Sequence, residues 1–384
     1  MTLILDEIRK REKGLSIINK IIKSKGIDSL IDLTGLAGGF DVSQEDISLL
    51  ETYAGPAVFD ERIQTAGINH LGGSKVLALN RTTSGIAAAI ITLVKENTAI
   101  VHYLPKKPGH PSIARTAKLV GADYVEYSSL DEFKVDENTS LVFITGTTMD
   151  HEVIDVDEFK KVIQIAKDND VLVFVDDASG ARVRRAVYNQ PTAIDLGADL
   201  SVTSTDKLME GPRGGLMAGS EELINRIKLT VNEYGWEAQA PLVAAMVKAL
   251  EKYSPDDIRE AFIQKDELYE KLVNKGLNPL KTPTGFMFKE DEIKRQLESM
   301  GAVSGYSSDI IATIYSMLLL ENYNIITIPA VGMPGASKTI RLDWSAKDSS
   351  KLTMDELVCA IVNTFDDCKN VIESNQVESV LYEL

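Results

Sequence analysis

The chain has 384 residues, 44% of them hydrophobic and 26% charged, with a formal net charge of −16 at pH 7. That length and balance fit a soluble chain of two domains with a well-buried core, and the acidic charge works against broad binding to nucleic acid or anionic membrane. No apolar run is long enough to span a bilayer and no signal-peptide pattern opens the chain, so the expected location is cytoplasmic. Two cysteines and four histidines without ligand spacing exclude a disulfide framework and point away from a protein-bound metal.

Taken in order, residues 3–25 carry apolar side chains at helical spacing. Ile8, Leu15, Ile18 and Ile22 form the expected inward face. Arg9, Lys10, Arg11, Lys13, Lys20, Lys23 and Lys25 then read as a solvated face, or else as an arm that contacts phosphate. Residues 27–73 are punctuated by glycine and read as irregular, with one helix near 44–53. From residue 76 the pattern changes. Strands are expected at 76–79, 99–104, 124–127, 140–144, 171–175, 199–203 and 215–218, with helices at 84–95, 112–120 and 156–167 between them. Continuous apolar strands alternating with helices predict a mainly parallel sheet covered on both faces. Beyond 219 helices dominate, at 221–234, 241–253, 256–275, 309–321 and 353–370, with strand pieces at 285–288, 325–328 and 339–342. The expected organisation is a helical lead-in over 1–55, a large α/β domain over 56–240 and a small α+β domain over 241–384.

Several residues converge on one kind of chemistry. Lys207 lies between a β-like run and a glycine-rich turn, in SVTSTDKLMEGPRGGLMAG. An ammonium at a core edge must keep water, find a partner or lose its proton, and a lysine that loses its proton forms Schiff bases with carbonyl compounds. Thr83, Ser84 and Gly85 follow a strand and open a helix, where backbone N–H groups and hydroxyls suit a phosphate dianion. Ser204, three positions before the lysine, is placed to hold the same phosphate. Asp176 ends the strand of VFVDDASG; a carboxylate there faces the ligand crevice of an open α/β sheet and can pair with a pyridinium nitrogen. Asp177 can take that part equally, or either can cap the following turn. Ser179 is placed to donate to a ring oxygen, and His110, at a helix start, to stack on a ring.

These segments resemble the fold-type I enzymes that depend on pyridoxal 5′-phosphate (PLP). TSTDKLMEGPRGG is similar to the serine hydroxymethyltransferase pattern, and TSGIAAAI and GHPSI resemble segments of the α-oxoamine synthases. The layout best resembles bacterial L-seryl-tRNA(Sec) selenium transferase, through VFVDDASG and STDKLMEGP, and in particular the archaeal selenium-transferase-like PLP proteins. The resemblance implies an aspartate aminotransferase-like large domain, PLP as cofactor, and Lys207 as the Schiff-base lysine. It implies Asp176 as the pyridinium partner, Ser179 as a contact to the ring oxygen and His110 as the stacker. Thr83, Ser84, Gly85 and Ser204 become the phosphate cradle, and Arg341, in KTIRLDWSA, the arginine that takes a substrate carboxylate. It implies a PLP-dependent transferase or lyase acting on an amino acid or aminoacyl substrate, in a homodimer or higher homo-oligomer. Elimination or replacement at Cβ is the expected reaction, with Cα–Cβ cleavage as the alternative, and a PLP-binding or RNA-binding protein without turnover as a further one. The selenium transferases carry a larger N-terminal region that holds tRNA. Here the phosphate segment begins near residue 82, so seryl-tRNA(Sec) is not the expected substrate.

Overall fold

The computed structural model describes residues 2–36, 38–302 and 305–383. The chain divides into two compact units: Leu36–Asp256, and Met1–Gly35 together with Asp257–Leu384. The sequence reading drew its boundaries at 55 and 240 instead. It could not show that the first helix belongs with the C-terminal third, because that grouping rests on contacts far apart in sequence.

The chain opens with α1 (Thr2–Lys25) and β1 (Ile31–Asp32). Next come α2 (Gln44–Leu50), α3 (Ala54–Leu71), β2 (Lys75–Leu79), α4 (Thr82–Leu93), β3 (Ala99–Tyr103), α5 (Pro111–Leu119) and β4 (Asp123–Tyr127). The large unit continues through β5 (Thr139–Thr145), α6 (Val156–Asp168), β6 (Leu172–Asp176), α7 (Gly180–Tyr188), β7 (Leu200–Ser204), β8 (Gly215–Gly219), α8 (Glu221–Glu233) and α9 (Ala240–Lys252). After it come α10 (Asp256–Val273), β9 (Leu280–Thr282), β10 (Gly285–Phe288), α11 (Glu290–Ser299), α12 (Ser308–Tyr323) and β11 (Ile325–Ile326). The chain closes with α13 (Ile328–Val331), β12 (Ile340–Asp343), α14 (Met354–Glu373) and α15 (Val377–Tyr382).

The large unit is a seven-stranded sheet in the order β2-β8-β7-β6-β5-β3-β4. Only β8 runs antiparallel to its neighbours. Side chains alternate across a strand, and the burial follows that rule. Leu77, Leu79, Ile100, Phe143, Phe174, Leu200 and Val202 point to one face, against Ile86 and Ala89 of α4 and Ile113 of α5. Val101, Val142, Ile144, Val173 and Val175 point to the other, against Phe159 and Val162 of α6. On that second face, Val76 and Leu216 meet Phe59 and Ile63 of α3 and Val243 and Val247 of α9.

The other unit holds a three-stranded sheet in the order β12-β10-β9 and a parallel pair, β1 with β11. Its core gathers Leu33, Phe286, Phe288, Tyr315 and Phe365. Among the described residues no helix is long and apolar enough to cross a membrane.

Several readings of the sequence need correcting. Residues 54–71, read as irregular, form an 18-residue helix. Its glycines mark close packing, not turns: a Cβ on Gly67 would lie 2.9 Å from Val76 and 3.2 Å from Leu216. The inward face of α1 is also shifted. Ile17 and Ile21 are buried with Lys10 and Lys13, while Ile8 and Leu15 are exposed. Lys10 pairs with Asp6 at 2.7 Å, Lys13 donates to the Glu383 carbonyl, and Arg11 donates to the Val331 carbonyl at 3.1 Å. Finally, α7 and α11 were not expected, and the strand expected at 325–328 is a two-residue piece followed by a helical turn.

Candidate functional site

The carboxyl ends of β5, β6 and β7 and the first turns of α4 and α5 meet on one face of the large sheet. Strand alternation decides between the two adjacent aspartates. Asp176 shares its face with Phe174, on the side of α4 and α5, whereas Asp177 shares its side with Val175 and meets Arg184 of α7. Arg184 Nε donates to Asp177 Oδ1 at 3.0 Å and its Nη2 donates to Oδ2, both groups being fully buried. The same guanidinium lies 5.0 Å from the Phe159 ring and donates to Gln190. Asp177 is therefore committed to a bidentate structural pair.

Asp176 is different. It is 8% exposed, and its Oδ1 is buried without a hydrogen-bond partner. Burial pushes its carboxyl up from the ordinary carboxylate value, while the charges of His110 and Lys207 draw it back down and Asp177 adds to the rise. His110 shows the reciprocal pattern. Burial pushes its imidazole down, Asp176 raises it, and Lys207 and Arg115 lower it. The three groups picked out in the sequence thus lie within one another's electrostatic reach. His110 is also the N-cap of α5: Nδ1 accepts from the Ser112 N–H at 3.3 Å and lies 2.7 Å from Ser112 Oγ. That leaves the opposite side of the ring available.

Lys207 follows β7 in a loop whose backbone is fixed from below by Arg182, a residue the sequence reading missed. Arg182 is fully buried. Its Nε donates to the Lys207 carbonyl at 2.5 Å, and Nη2 donates to the carbonyls of Ala178 (3.1 Å) and Ser204 and to Thr203 Oγ1 (3.1 Å). Nη1 meets His70 Nε2 at 3.1 Å. Burial pushes the guanidinium down to about 10, still a cation near neutral pH. Burial and the charges of Arg182 and Arg185 push His70 well below its ordinary value. His70 is therefore neutral and accepts at Nε2. A buried arginine held by carbonyls is a costly group, and a persistent one only where each donor is met. Here it ties the end of β7, the start of α7 and the carbonyl of Lys207 together. The far end of the loop is closed by Thr205, which donates to the Pro212 carbonyl at 2.6 Å, and by the Asp206–Arg213 pair at 3.2 Å.

The first turn of α4 meets the end of β7 through Thr82 Oγ1 and Ser204 Oγ, 2.7 Å apart. Thr82 was not among the residues assigned to the phosphate. Ser84 donates its hydroxyl to Asn80 Oδ1 at 2.6 Å, and Thr83 is exposed. The glycines here have a packing role. A Cβ on Gly85 would strike Leu79, and one on Gly215 would lie 2.8 Å from Thr82 N, so both let the start of α4 settle onto the sheet. Ser179, at the start of α7, is buried and its hydroxyl does not cap that helix. Arg341 belongs to the other unit, in β12, where Nη2 donates to the Thr34 carbonyl at 3.0 Å.

A buried carboxylate with one open oxygen, an imidazole sharing its field, an amine on a braced loop and a helix start with hydroxyls form a set that fits a flat, phosphorylated aromatic group.

Comparison with known proteins agrees with that donor set. Residues 132–272 match the family described as L-seryl-tRNA selenium transferase, and residues 275–353 match the UPF0425 C-terminal domain. The chain is 71% identical over 382 residues to a UPF0425 pyridoxal phosphate-dependent protein of Methanosphaera stadtmanae, covering 100% of both chains. A protein of the same description from Methanothermobacter thermautotrophicus is 49% identical, with 93% of each chain covered. The chain belongs to the UPF0425 pyridoxal phosphate-dependent protein family. More distantly, it is 26% identical over 275 residues to an L-seryl-tRNA(Sec) selenium transferase of Mannheimia succiniciproducens, covering 62% of this chain and 57% of that one.

Among solved structures, the chain resembles the SepCysS–SepCysE N-terminal domain complex, with a TM-score of 0.60, 18% identity, and 91% of this chain and 99% of that one covered. It also resembles aspartate aminotransferase of Thermotoga maritima, with a TM-score of 0.59, 17% identity, and coverage of 93% and 96%. These likenesses establish the fold-type I architecture expected from the sequence.

Proposed function

We propose that this chain is a PLP-dependent enzyme of amino-acid metabolism, with Lys207 Nζ as the covalent attachment point of the cofactor. The observation that carries the reading is the open Oδ1 of Asp176, buried in the field of His110 and Lys207 while its neighbour Asp177 is fully paired. When bound, PLP supplies an electron sink for carbanion chemistry at the amino acid's Cα. Asp176 would meet the ring nitrogen and keep it protonated. His110 would cover a face of the ring, and Ser179 would donate to the ring's phenolic oxygen. Thr83, Ser84, Gly85 and Ser204 would hold the phosphate at the start of α4, with Thr82 added through its contact to Ser204. Lys207 Nζ would also be the base that holds the Cα proton.

The likeness to selenium transferases favours elimination or replacement at Cβ. Arg213, in the GPRGG stretch that resembles serine hydroxymethyltransferase, pairs with Asp206. Seryl-tRNA(Sec) remains outside the reading. The charge of −16 opposes it, and Lys10, Arg11 and Lys13 of the basic helix are engaged within their own unit. The active form is proposed to be a cytoplasmic homodimer.

The test is spectroscopic. Purified protein mixed with PLP should develop a visible absorbance band that borohydride fixes onto the chain, and Lys207→Ala should abolish the fixation. No band in the wild-type protein overturns the cofactor reading. Release of pyruvate from serine, cysteine or their O-phospho forms supports Cβ chemistry, whereas aldehyde release from threonine supports cleavage. A visible response to these amino acids without any product favours a PLP-binding protein without turnover. Salt-dependent tRNA binding favours the RNA reading.

A further inference from the structure

Behind His110 lies a chain of side chains, buried at Thr145 and His102 and half-buried at Tyr124 and Glu126, that the proposed chemistry does not use. It begins at Thr145, the last residue of β5, which stands in register with Asp176 of β6. Thr145 Oγ1 lies 2.8 Å from His102 Nε2, and His102 Nδ1 lies 2.6 Å from Tyr124 Oη. Tyr124 Oη donates to Glu126 Oε1 at 2.7 Å, and the same oxygen accepts the Gly109 N–H at 2.9 Å. Gly109 is the residue before His110.

The direction of this chain is fixed. A carboxylate only accepts, so the single Tyr124 hydroxyl proton goes to Glu126. Tyr124 Oη must then accept from His102 Nδ1–H. A neutral imidazole has one N–H, so Nε2 accepts and Thr145 donates. His102 is fully buried, which pushes it down to about 3 and keeps it neutral across the working range. The packing agrees: a Cβ on Gly109 would lie 2.7 Å from His102 Cε1 and 2.9 Å from Tyr124 Oη. The loop that carries His110 therefore rests directly on this pair, and Glu126 holds its backbone.

We propose that His102, Tyr124 and Glu126 are positioning residues, a one-way hydrogen-bond relay that fixes the His110 imidazole relative to Asp176. The relay joins the strand end beside Asp176 to the backbone beside His110, so it sets the spacing of the two groups that would bracket the cofactor ring. This inference rests on the proposed cofactor reading for its purpose, but not for its test.

The chain has four histidines, few enough to follow by nitrogen NMR in the full-length protein without cofactor. Wild-type His102 should hold the Nδ1–H tautomer with no titration between about pH 5 and 8, as a buried neutral acceptor–donor must. Tyr124→Phe, which cuts the relay at its middle, should shift the titration midpoint of His110. Glu126→Gln, which keeps an acceptor oxygen and the side-chain shape, should shift it in the same direction but less. With PLP, Tyr124→Phe should weaken binding roughly tenfold and change the visible circular dichroism, the scale of one buried hydrogen bond. His110→Ala should do the same, and the double variant should be no worse than either. A titrating His102, a His110 midpoint unmoved by Tyr124→Phe, or fully additive effects on PLP affinity overturns the relay. Failure of the cofactor reading instead appears as the absence of a PLP band in the wild type, with the histidine signals unaffected. Thermal melts separate these effects from misfolding, and Glu126→Gln carries the test if Tyr124→Phe does not fold.

Discussion

The two faces of the large sheet end differently at its carboxyl edge. On the α6 and α7 side the buried charges are paired: Asp177 with Arg184, and Arg184 in turn with Gln190 and the Phe159 ring. On the α4 and α5 side, one residue earlier, Asp176 keeps an open buried oxygen, its charge met by the fields of His110 and Lys207 and by the backbone N–H of Ala178. The first arrangement is what a fold needs in order to bury charge. The second costs free energy in the folded chain, because one oxygen of a desolvated carboxylate is left without a donor, and under the proposed function the cofactor would supply that donor. Two aspartates adjacent in sequence thus differ: one is fully paired, and the proposed function assigns the chemistry to the other.

Breaking the matched face should have the largest effect on folding. Asp177→Asn leaves the Arg184 cation buried without its counter-charge, and the expected loss is about 3–5 kcal/mol of stability. Chemical denaturation measures it. If the double replacement Asp177→Asn with Arg184→Met restores most of that loss, the cost lay in the uncompensated charge. If it does not, packing around Phe159 dominates.

Asp176→Asn should have the opposite profile. Turnover with the best substrate should fall roughly 10²–10³-fold, the scale of removing one preorganised charge from a site. Folding should not suffer, because no bond to Oδ1 is lost. A variant that melts well below the wild type would show that Asp176 is structural after all, and the contrast between the two faces would disappear.

The pH dependence sharpens the same contrast. Burial raises the Asp176 carboxyl, so the folded chain holds that proton more tightly than the unfolded chain does. Its contribution to stability is complete below 3.8, the ordinary value, and is lost as pH rises through the folded-state value. Asn cannot ionise and escapes that loss. In the cofactor-free protein, the stability of Asp176→Asn relative to wild type should therefore increase as pH is raised above 3.8 and through the folded-state value. A gap that stays flat, or that shrinks with pH, contradicts a raised carboxyl at this position.

Much of this was legible in the sequence, and what was hidden was hidden for physical reasons. The alternating strands and helices from residue 76 declared the α/β sheet through periodicity alone. The lysine loop and the VFVDDASG strand end could be recognised as chemistry. Which of Asp176 and Asp177 faces the crevice came from the resemblance alone, because alternation gives opposite faces without saying which face holds the ligand. The pairing that engages Asp177 needed Arg184, in a helix that the sequence reading did not expect. GARVRRAVY looks like a surface segment until Arg182 and Arg184 are found buried, each met by partners distant in sequence or across the turn. Helix α3 was missed because a glycine packed against a strand looks the same in sequence as a glycine in a turn.

The smallest expected effect tests how the open face is tied to the start of α4. Thr82 and Ser204 share a hydrogen bond of 2.7 Å across that junction. Ser204→Ala removes it and should cost about 1 kcal/mol, the net value of one such bond. If the junction only holds the helix against the sheet, the cost should be the same with and without saturating PLP. If both hydroxyls also hold the phosphate, they gain partners on binding and the cofactor-loaded variant should lose more than the cofactor-free one. Thermal melts of the four states measure that difference directly. An equal loss in both would leave Thr82 and Ser204 on the structural side of the contrast, beside Asp177 and not Asp176.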